Sequence, residues 1–360
     1  MAITLQQIAE ACGVSRGTVD RALHHKKGVR PEVAQRIRET AREMGYIPRH
    51  ANPLSSIRPV RIGVVLHTGI SDFVQILAKI MLRFPEETLL PVEVILRVMD
   101  GTNVHHQLAL IDDLIQNEQI DGLALMPLAH TLILEKVNEL SETHGIPVIT
   151  INTDIPDSAR LAYVGPDNIA CGRAAAALMG LSTQGKGWIL PILGQKSGHF
   201  ADTQRMCGFQ AEMNENFPNI KILPPEYCYL DQNLAERITR RVLKNVDSLT
   251  GIYLSSVGRS GVYRALCSTP QSKKIHVIVH DLTNDNLQMI QKGVVDFAIG
   301  QDVRTQGILP LQLLFFFLTK HQTPEKKLFQ TNIEIKFRCN LNGVANKFGI
   351  GSNIKLNMNH

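Results

Sequence analysis

Side chains that invite chemistry are unevenly spread along the chain. Near the N-terminus, Arg16, Gly17, Thr18, Asp20 and Arg21 project from a segment whose spacing predicts a short helix. Arginine can hold guanine O6 and N7 through two parallel hydrogen bonds, which suits Arg16 and Arg21 to reading base edges, while a carboxylate such as Asp20 can accept from cytosine N4. Gly17 has no side chain to read with and allows close approach. Elsewhere the signatures of catalysis break down. Gly180 to Gly187 follows phosphate-loop spacing as far as Lys186, then has glycine where Ser or Thr must hold magnesium. It also ends a helical stretch instead of opening one. His105 and His106 are adjacent, so their rings diverge on a helix, and no acidic or cysteine partner stands at ligand spacing. Gly258-Arg259-Ser260-Gly261 lacks the five-residue form of a nucleophile elbow. The cysteines, Cys12, Cys171, Cys207, Cys228, Cys267 and Cys339, include no C-x-x-C pair and read as reduced thiols of a cytoplasmic protein. With neither a nucleophile–base–orienter set nor a cofactor loop, the expectation is a protein that is not an enzyme and needs no cofactor or metal.

The head arginines need a scaffold. Leu5, Ile8, Ala9 and Cys12 share one helical face, Thr4 is placed to cap that helix, and Gly13 to end it. Ser15 can cap a second helix that turns Val19, Ala22 and Leu23 inward. The break between the two is only about three residues, as in a helix-turn-helix. Pro31 is pre-set to start a third helix with Val33, Ile37, Ala41 and Met44 inside and Gly45 at its end. Charge agrees: residues 1–61 carry 11 Lys/Arg against 5 Asp/Glu, whereas 62–360 carry 27 against 28. A basic head on a neutral body suggests a polyanion-binding module joined to something else. The alternative from spacing alone is a three-helix protein-binding module with surface arginines.

The run Ile3 to Ala9, then Gly13-Val14-Ser15, Thr18 to Leu23 and Gly45-Tyr46-Ile47-Pro48 resembles the DNA-binding head of the lactose-repressor/galactose-repressor family. Many members have serine where this chain has Asp20. The resemblance implies a cytoplasmic transcriptional regulator, repressor by default, that binds a pseudo-palindromic double-stranded operator as a homodimer. Its DNA-contacting set is Thr4, Ser15, Arg16, Gly17, Thr18, Asp20 and Arg21, with Lys26 and Lys27 on phosphates. The head is 1–48 and a hinge follows over 49–61, where the family folds a short helix on DNA and wedges a leucine into the minor groove. Leu54 is that wedge here, after an N-cap at Asn52 and a first helical residue at Pro53, and the alternative is a plain flexible linker.

The body, 62–343, alternates strand and helix. Strands are predicted at 60–67, 92–98, 122–126, 147–151, 188–193, 251–255, 275–280 and 295–299, separated mostly by helical stretches. This predicts an α/β body with parallel sheets, too long for one sheet, and hence two doubly wound lobes with ligand at the carboxyl ends of the strands. At 360 residues, with 44% apolar and 20% charged, the composition is that of an ordinary soluble protein. Its most apolar stretch, 308–318, interrupted by Gln312, falls short of the roughly 20 residues of a membrane span, and no export signal is expected at the N-terminus.

The body resembles the periplasmic sugar-binding-protein fold that the same regulators use as sensor. That resemblance implies three crossings between lobes, near 165, 300 and 325. Lobe 1 is then about 62–164 plus 301–324, and lobe 2 about 165–300 plus 325–343, with a polar tail over 344–360. It also implies a ligand set just past the strand ends: Phe73, Asp154, Arg205, Asp281 and Gln301, with Asn152, Ser256 and His199 behind them. A sugar hydroxyl donates to carboxylate and accepts from guanidinium, and such charge-assisted bonds are roughly twice as strong as neutral ones. Two alternatives stay open at this point: Asp281 as cap of a helix starting at Thr283, and Arg205 in a surface ion pair. The function expected is operator binding modulated by a small effector, a sugar. The competing classes are a sugar-binding module without DNA binding and an enzyme on the two-lobed body.

Overall fold

Thr4 begins the first helix with a reciprocal pair of bonds: its hydroxyl accepts from the Gln7 N–H at 3.4 Å, and the Gln7 side chain accepts from the Thr4 N–H at 2.8 Å. Helix α1 (Leu5–Cys12) ends at Gly13, whose φ of 62° is left-handed. Helix α2 (Arg16–Leu23) follows at once, with the Ser15 hydroxyl accepting from the Thr18 N–H at 3.1 Å, and α3 (Pro31–Glu43) starts on the expected proline. Ile8, Ala9, Cys12, Val19, Ala22, Ala34, Ile37 and Ala41 make one small apolar core. Arg36 reaches across from α3 to the Cys12 carbonyl at 3.2 Å and ties down the end of α1.

The computed structural model describes residues 4–23, 28–44, 58–196, 200–268 and 274–341. The chain divides into two units, Met1–Arg58 and Pro59–His360. Gly45, Lys26, Lys27, the hinge residues Asn52, Pro53 and Leu54, His199 and the tail after Gly343 all lie outside the described residues.

In the second unit the chain runs through β1 (Val60–Leu66), α4 (Asp72–Thr88), β2 (Val92–Val98), α5 (Val104–Gln116), β3 (Gly122–Leu125), α6 (Thr131–Asn138), β4 (Val148–Ile151) and β5 (Ala162–Gly165). It then leaves this sheet. A second set follows: α7 (Asn168–Ser182), β6 (Gly187–Leu193), α8 (Phe200–Asn216), β7 (Ile220–Ile222), β8 (Glu226–Tyr227), α9 (Gln232–Asn245), β9 (Leu249–Leu254), α10 (Arg259–Ser268), β10 (His276–His280), α11 (Asn284–Gln291) and β11 (Phe297–Gly300). Helix α12 (Val303–Lys320) returns to the first lobe, β12 (Leu328–Gln330) pairs with β5, and β13 (Glu334–Lys336) pairs antiparallel with β11.

The two sheets are ordered β12-β5-β4-β3-β1-β2 and β13-β11-β10-β9-β6-β7, with β8 also on β6. All pairs but β11–β13 are parallel. Strands covered by helices on both faces must be apolar throughout, and β3, β4 and β5 are buried at every position. One expected boundary is displaced. Because β12 is a strand of the first sheet, the third crossing falls at 331–333 and not near 325, and residues 325–330 belong to lobe 1. A three-residue edge strand with the polar sequence around it gives too little apolar pattern to announce itself. The largely apolar stretch 308–318 lies within α12, which buries Leu311, Leu314 and Phe315. Among the described residues no helix is long and apolar enough to cross a membrane.

Candidate ligand site and DNA-contact surface

Besides Tyr229 and Leu230 after β8, four non-glycine residues of the body adopt positive φ just past strand ends: Thr68 after β1 (60°), Asn152 after β4 (62°), Asp281 after β10 (74°) and Asp302 after β11 (50°). Such backbone is sparsely populated, most of all for a β-branched threonine, and it collects where side chains must be aimed. Here it turns polar side chains out of the sheets at the carboxyl ends of parallel strands, where this architecture opens its crevice.

A continuous set of hydrogen bonds joins three of these ends, those of β4, β10 and β11, across both lobes. The Asn152 amide donates to the Gln301 side-chain oxygen at 3.0 Å and to that of Gln306 at 3.1 Å. Gln301 in turn donates to the Asp281 carboxylate. On the other side, Asn168 donates to the Asn152 carbonyl at 3.3 Å and accepts from Arg205 Nε at 2.9 Å. Arg205 also donates to the Ser255 carbonyl at 2.6 Å, and the Ser255 hydroxyl donates to Asp202 at 2.5 Å. Asp202 accepts further from the Gly194 N–H at 3.0 Å and the Ser256 hydroxyl at 3.3 Å. Asn152, Arg205, Ser256, Asp281 and Gln301 thus belong to one buried polar array, and all but the half-buried Ser256 are nearly inaccessible.

Local packing fixes this array. Helices α7 and α8 cross so closely that a Cβ on Gly172 would lie 1.9 Å from the Arg205 carbonyl oxygen, and one on Gly208 2.1 Å from that of Ile169. Only glycine permits this approach, which sets Arg205 against Asn168. Beneath β10, Phe209 stacks on Tyr253 with centroids 4.3 Å apart, and Tyr253 bonds His280 Nε2 at 2.9 Å. Burial, reinforced by the Arg205 charge, holds His280 well below its ordinary pKa, so it is neutral. Asn286 donates to the carbonyls of His280 and Asp281 at 2.8 and 2.7 Å and pins the left-handed turn. Helix α11 is capped by Thr283, so the Asp281 carboxylate is not its cap. Arg205, 2% exposed and bonded to neutral oxygens, is not in a surface ion pair.

Two expected members stand apart. Asp154 is held by Arg160 through both carboxylate oxygens and accepts from Thr150 at 2.7 Å and from the Ile155 N–H at 2.9 Å. Its lone pairs are taken up inside the first lobe. Phe73 is buried in the first turn of α4 without a bond to the array. Sequence reasoning missed Asn168, Asp202, Ser255, Gln306 and Arg259. Asp202 had a signal, since it precedes Arg205 by three and so shares its helical face. Among the described residues no group of three or more His, Cys, Asp or Glu is placed to hold a metal.

In the head, Arg16, Gly17 and Arg21 are exposed on α2, and Thr18 and Asp20 half-buried. Ser15 and Thr18 bond each other at 2.8 Å. Thr4 and Ser15 both serve as helix caps, their hydroxyls accepting from the Gln7 and Thr18 N–H groups at the N-terminal ends of α1 and α2.

A family model described as periplasmic binding protein domain matches residues 62–321. The chain belongs to that family. A second model, bacterial regulatory proteins, lacI family, matches residues 4–49. The HTH-type transcriptional regulator GntR of Pseudomonas aeruginosa is 32% identical over 181 residues, 48% of this chain and 48% of that protein. Catabolite control protein A of Staphylococcus aureus is 22% identical over 217 residues, 60% of this chain and 63% of that protein. The chain spans about half the length of the curated relatives it matches. Among solved structures, GanP, a glucose-galactose binding protein from Geobacillus stearothermophilus, superposes with a TM-score of 0.71 at 20% identity, covering 79% of this chain and 99% of that one. At that identity it shows the fold.

Proposed function

We propose that this chain is a cytoplasmic, non-catalytic, DNA-binding transcriptional regulator, a repressor whose operator affinity is set by a small polyhydroxylated effector, a sugar, held between its two lobes. One observation carries this: a lacI-type helix-turn-helix with exposed arginines and a two-lobed periplasmic-binding-protein body occur on the same chain. The polar array supports a hydroxylated ligand, because Asp281, Arg205, Asn152 and Gln301 offer donors and acceptors in one buried place. Asp281 and Arg205 hold the effector, with Asn152, Gln301 and Ser256 around them. Phe73 packs against it, and Asp154 orders the loop after β4 instead of touching ligand. In the head, Arg16 and Arg21 read bases, Gly17, Thr18 and Asp20 line the groove, and Thr4 and Ser15 present N–H groups to phosphate. Lys26 and Lys27 add charge on the backbone, and Leu54 wedges the minor groove. The protein binds its operator as a homodimer.

The test is selection of binding sites from randomised duplex DNA by the full chain, followed by titration of the selected site with and without a panel of monosaccharides and sugar acids. An inverted repeat whose affinity changes with at least one of these compounds is expected. Failure to enrich any sequence would sink the regulator; enrichment without response to any sugar would sink the effector class.

A further inference from the structure

Arg259 opens α10 with its side chain only 4% exposed, yet it makes a single hydrogen bond, from Nη2 to the Ser256 carbonyl at 3.2 Å. Its Nε has no partner. The nearest carboxylates are out of hydrogen-bonding reach: Asp281 Oδ2 at 3.7 Å on the second lobe, and Asp72 Oδ2 at 3.6 Å on the first. A guanidinium has five N–H donors in a planar fork, and a buried one held by a single hydrogen bond and two ion pairs too long to be hydrogen bonds is costly. An unsatisfied buried group of this kind calls for an explanation. Arg259 lies beside Asp281, at the edge of the array, and faces the other lobe through Asp72. A ligand group placed there meets the fork directly.

We propose that the effector is a sugar acid, a polyhydroxylated monocarboxylate, and that Arg259 binds its carboxylate while Asp281 and Arg205 take its hydroxyls. This rests on the cleft being the effector site. A planar carboxylate matches the fork with two parallel bonds, which a hydroxyl cannot do. Charge favours one negative charge over two. Arg205 and Arg259 face Asp202 and Asp281, His280 is neutral, and Asp72 stands half-exposed at the rim. These side chains nearly balance, so the cleft accommodates a monoanion with help from the positive ends of α4, α10 and α11, whereas a phosphate dianion would leave a larger uncompensated charge.

The experiment is isothermal titration of the full chain with D-gluconate, D-galactonate, D-glucuronate and D-galacturonate, against D-glucose, D-galactose and D-glucose 6-phosphate. At least one acid should bind about 30-fold or more tightly than its neutral sugar, and Arg259→Gln should erase most of that preference, with Arg259→Lys in between. Melting of the ligand-free protein separates this from a purely structural role. Arg259→Gln gives up one hydrogen bond and two ion pairs stretched to 3.6 and 3.7 Å, so the ligand-free melting temperature should change little, while an Arg259 that mainly bridges the lobes predicts a clearly lower one. The proposal is overturned if no acid binds, if an aldose or the sugar phosphate binds most tightly, or if the acid preference survives Arg259→Gln. An aldose lost with Asp281→Asn yet indifferent to Arg259→Gln would refute the acid and keep the cleft. An acid indifferent to Asp281→Asn and Arg205→Ala would remove the site from the cleft altogether.

Discussion

Single side chains in the array are separable by what their removal leaves behind. Asp281→Asn keeps an acceptor for Gln301 but loses the charge, so effector affinity should fall by about 10- to 100-fold while operator affinity without effector stays unchanged, as read by titration and by mobility shift. Arg205→Ala leaves the Asn168 and Ser255 oxygens unpaired, so it should also lower stability by about 1–3 kcal/mol, visible in chemical denaturation. In the head, Arg21→Ala should cost about 1–3 kcal/mol at the operator and relax discrimination at one base pair per half-site; equal separation of operator and random DNA would remove Arg21 from the base readers. His280 adds a pH signature. Its folded pKa lies below the ordinary 6.5, so above pH 6.5 both states are neutral there and nothing is gained or lost. Below 6.5 the unfolded chain takes up a proton that the folded one refuses, and stability falls by up to about 1.4 kcal/mol per pH unit until the folded pKa is reached. His280→Gln should flatten that part of the profile when denaturant midpoints are compared between pH 7.5 and 5.5.

At the scale of elements, the α7–α8 crossing is the joint on which the array depends. Gly172→Ala puts a methyl against backbone, at the Arg205 carbonyl, which cannot rotate away. A loss of about 1–3 kcal/mol of stability is expected, together with weaker effector binding because Arg205 moves with α8. Near-parental melting and unchanged affinity would mean that the helices slide apart freely. The head helices and the long buried strands were plain in the sequence because each carries its own signal: Thr4, Gly13, Ser15 and Pro31 punctuate α1 to α3, and stretches dominated by apolar residues mark β1, β6, β9 and β10. The short strands β5, β7, β8, β12 and β13 were not, since two to four residues show no period and their pairing is decided by distant neighbours. The candidate site was legible by position, as residues just past strand ends. Which of them converge was not, because Asp154 finds its arginine six residues on within its own lobe, while Gln301 meets partners 149 and 20 residues away. Arg259 was visible only as part of a rejected motif, and its unmet donors are a property of packing alone.

For the molecule as a whole, regulation requires that effector binding favour one arrangement of the lobes over another, since equal affinity for both shifts nothing. A coupling of about 1–3 kcal/mol between effector and operator is expected, and it must be reciprocal: operator DNA should change effector affinity by the same factor in titrations run with and without the duplex. Unequal factors would show that more than two states are in play. The return of the chain to its first lobe has another consequence, for how the protein is made. Residues 60–165 build five strands of the first sheet, but its sixth, β12, and α12, which places Leu311, Leu314 and Phe315 in the lobe's interior, come only after residue 300. A ribosome therefore delivers nearly the entire second lobe, lacking only β13, while the first still waits with an uncovered apolar face. The lobe begun first is the one finished last, and the nascent chain must stay soluble through that interval, which makes the stretch of synthesis between residues 165 and 330 the point at which this protein is most exposed to aggregation and most dependent on chaperones.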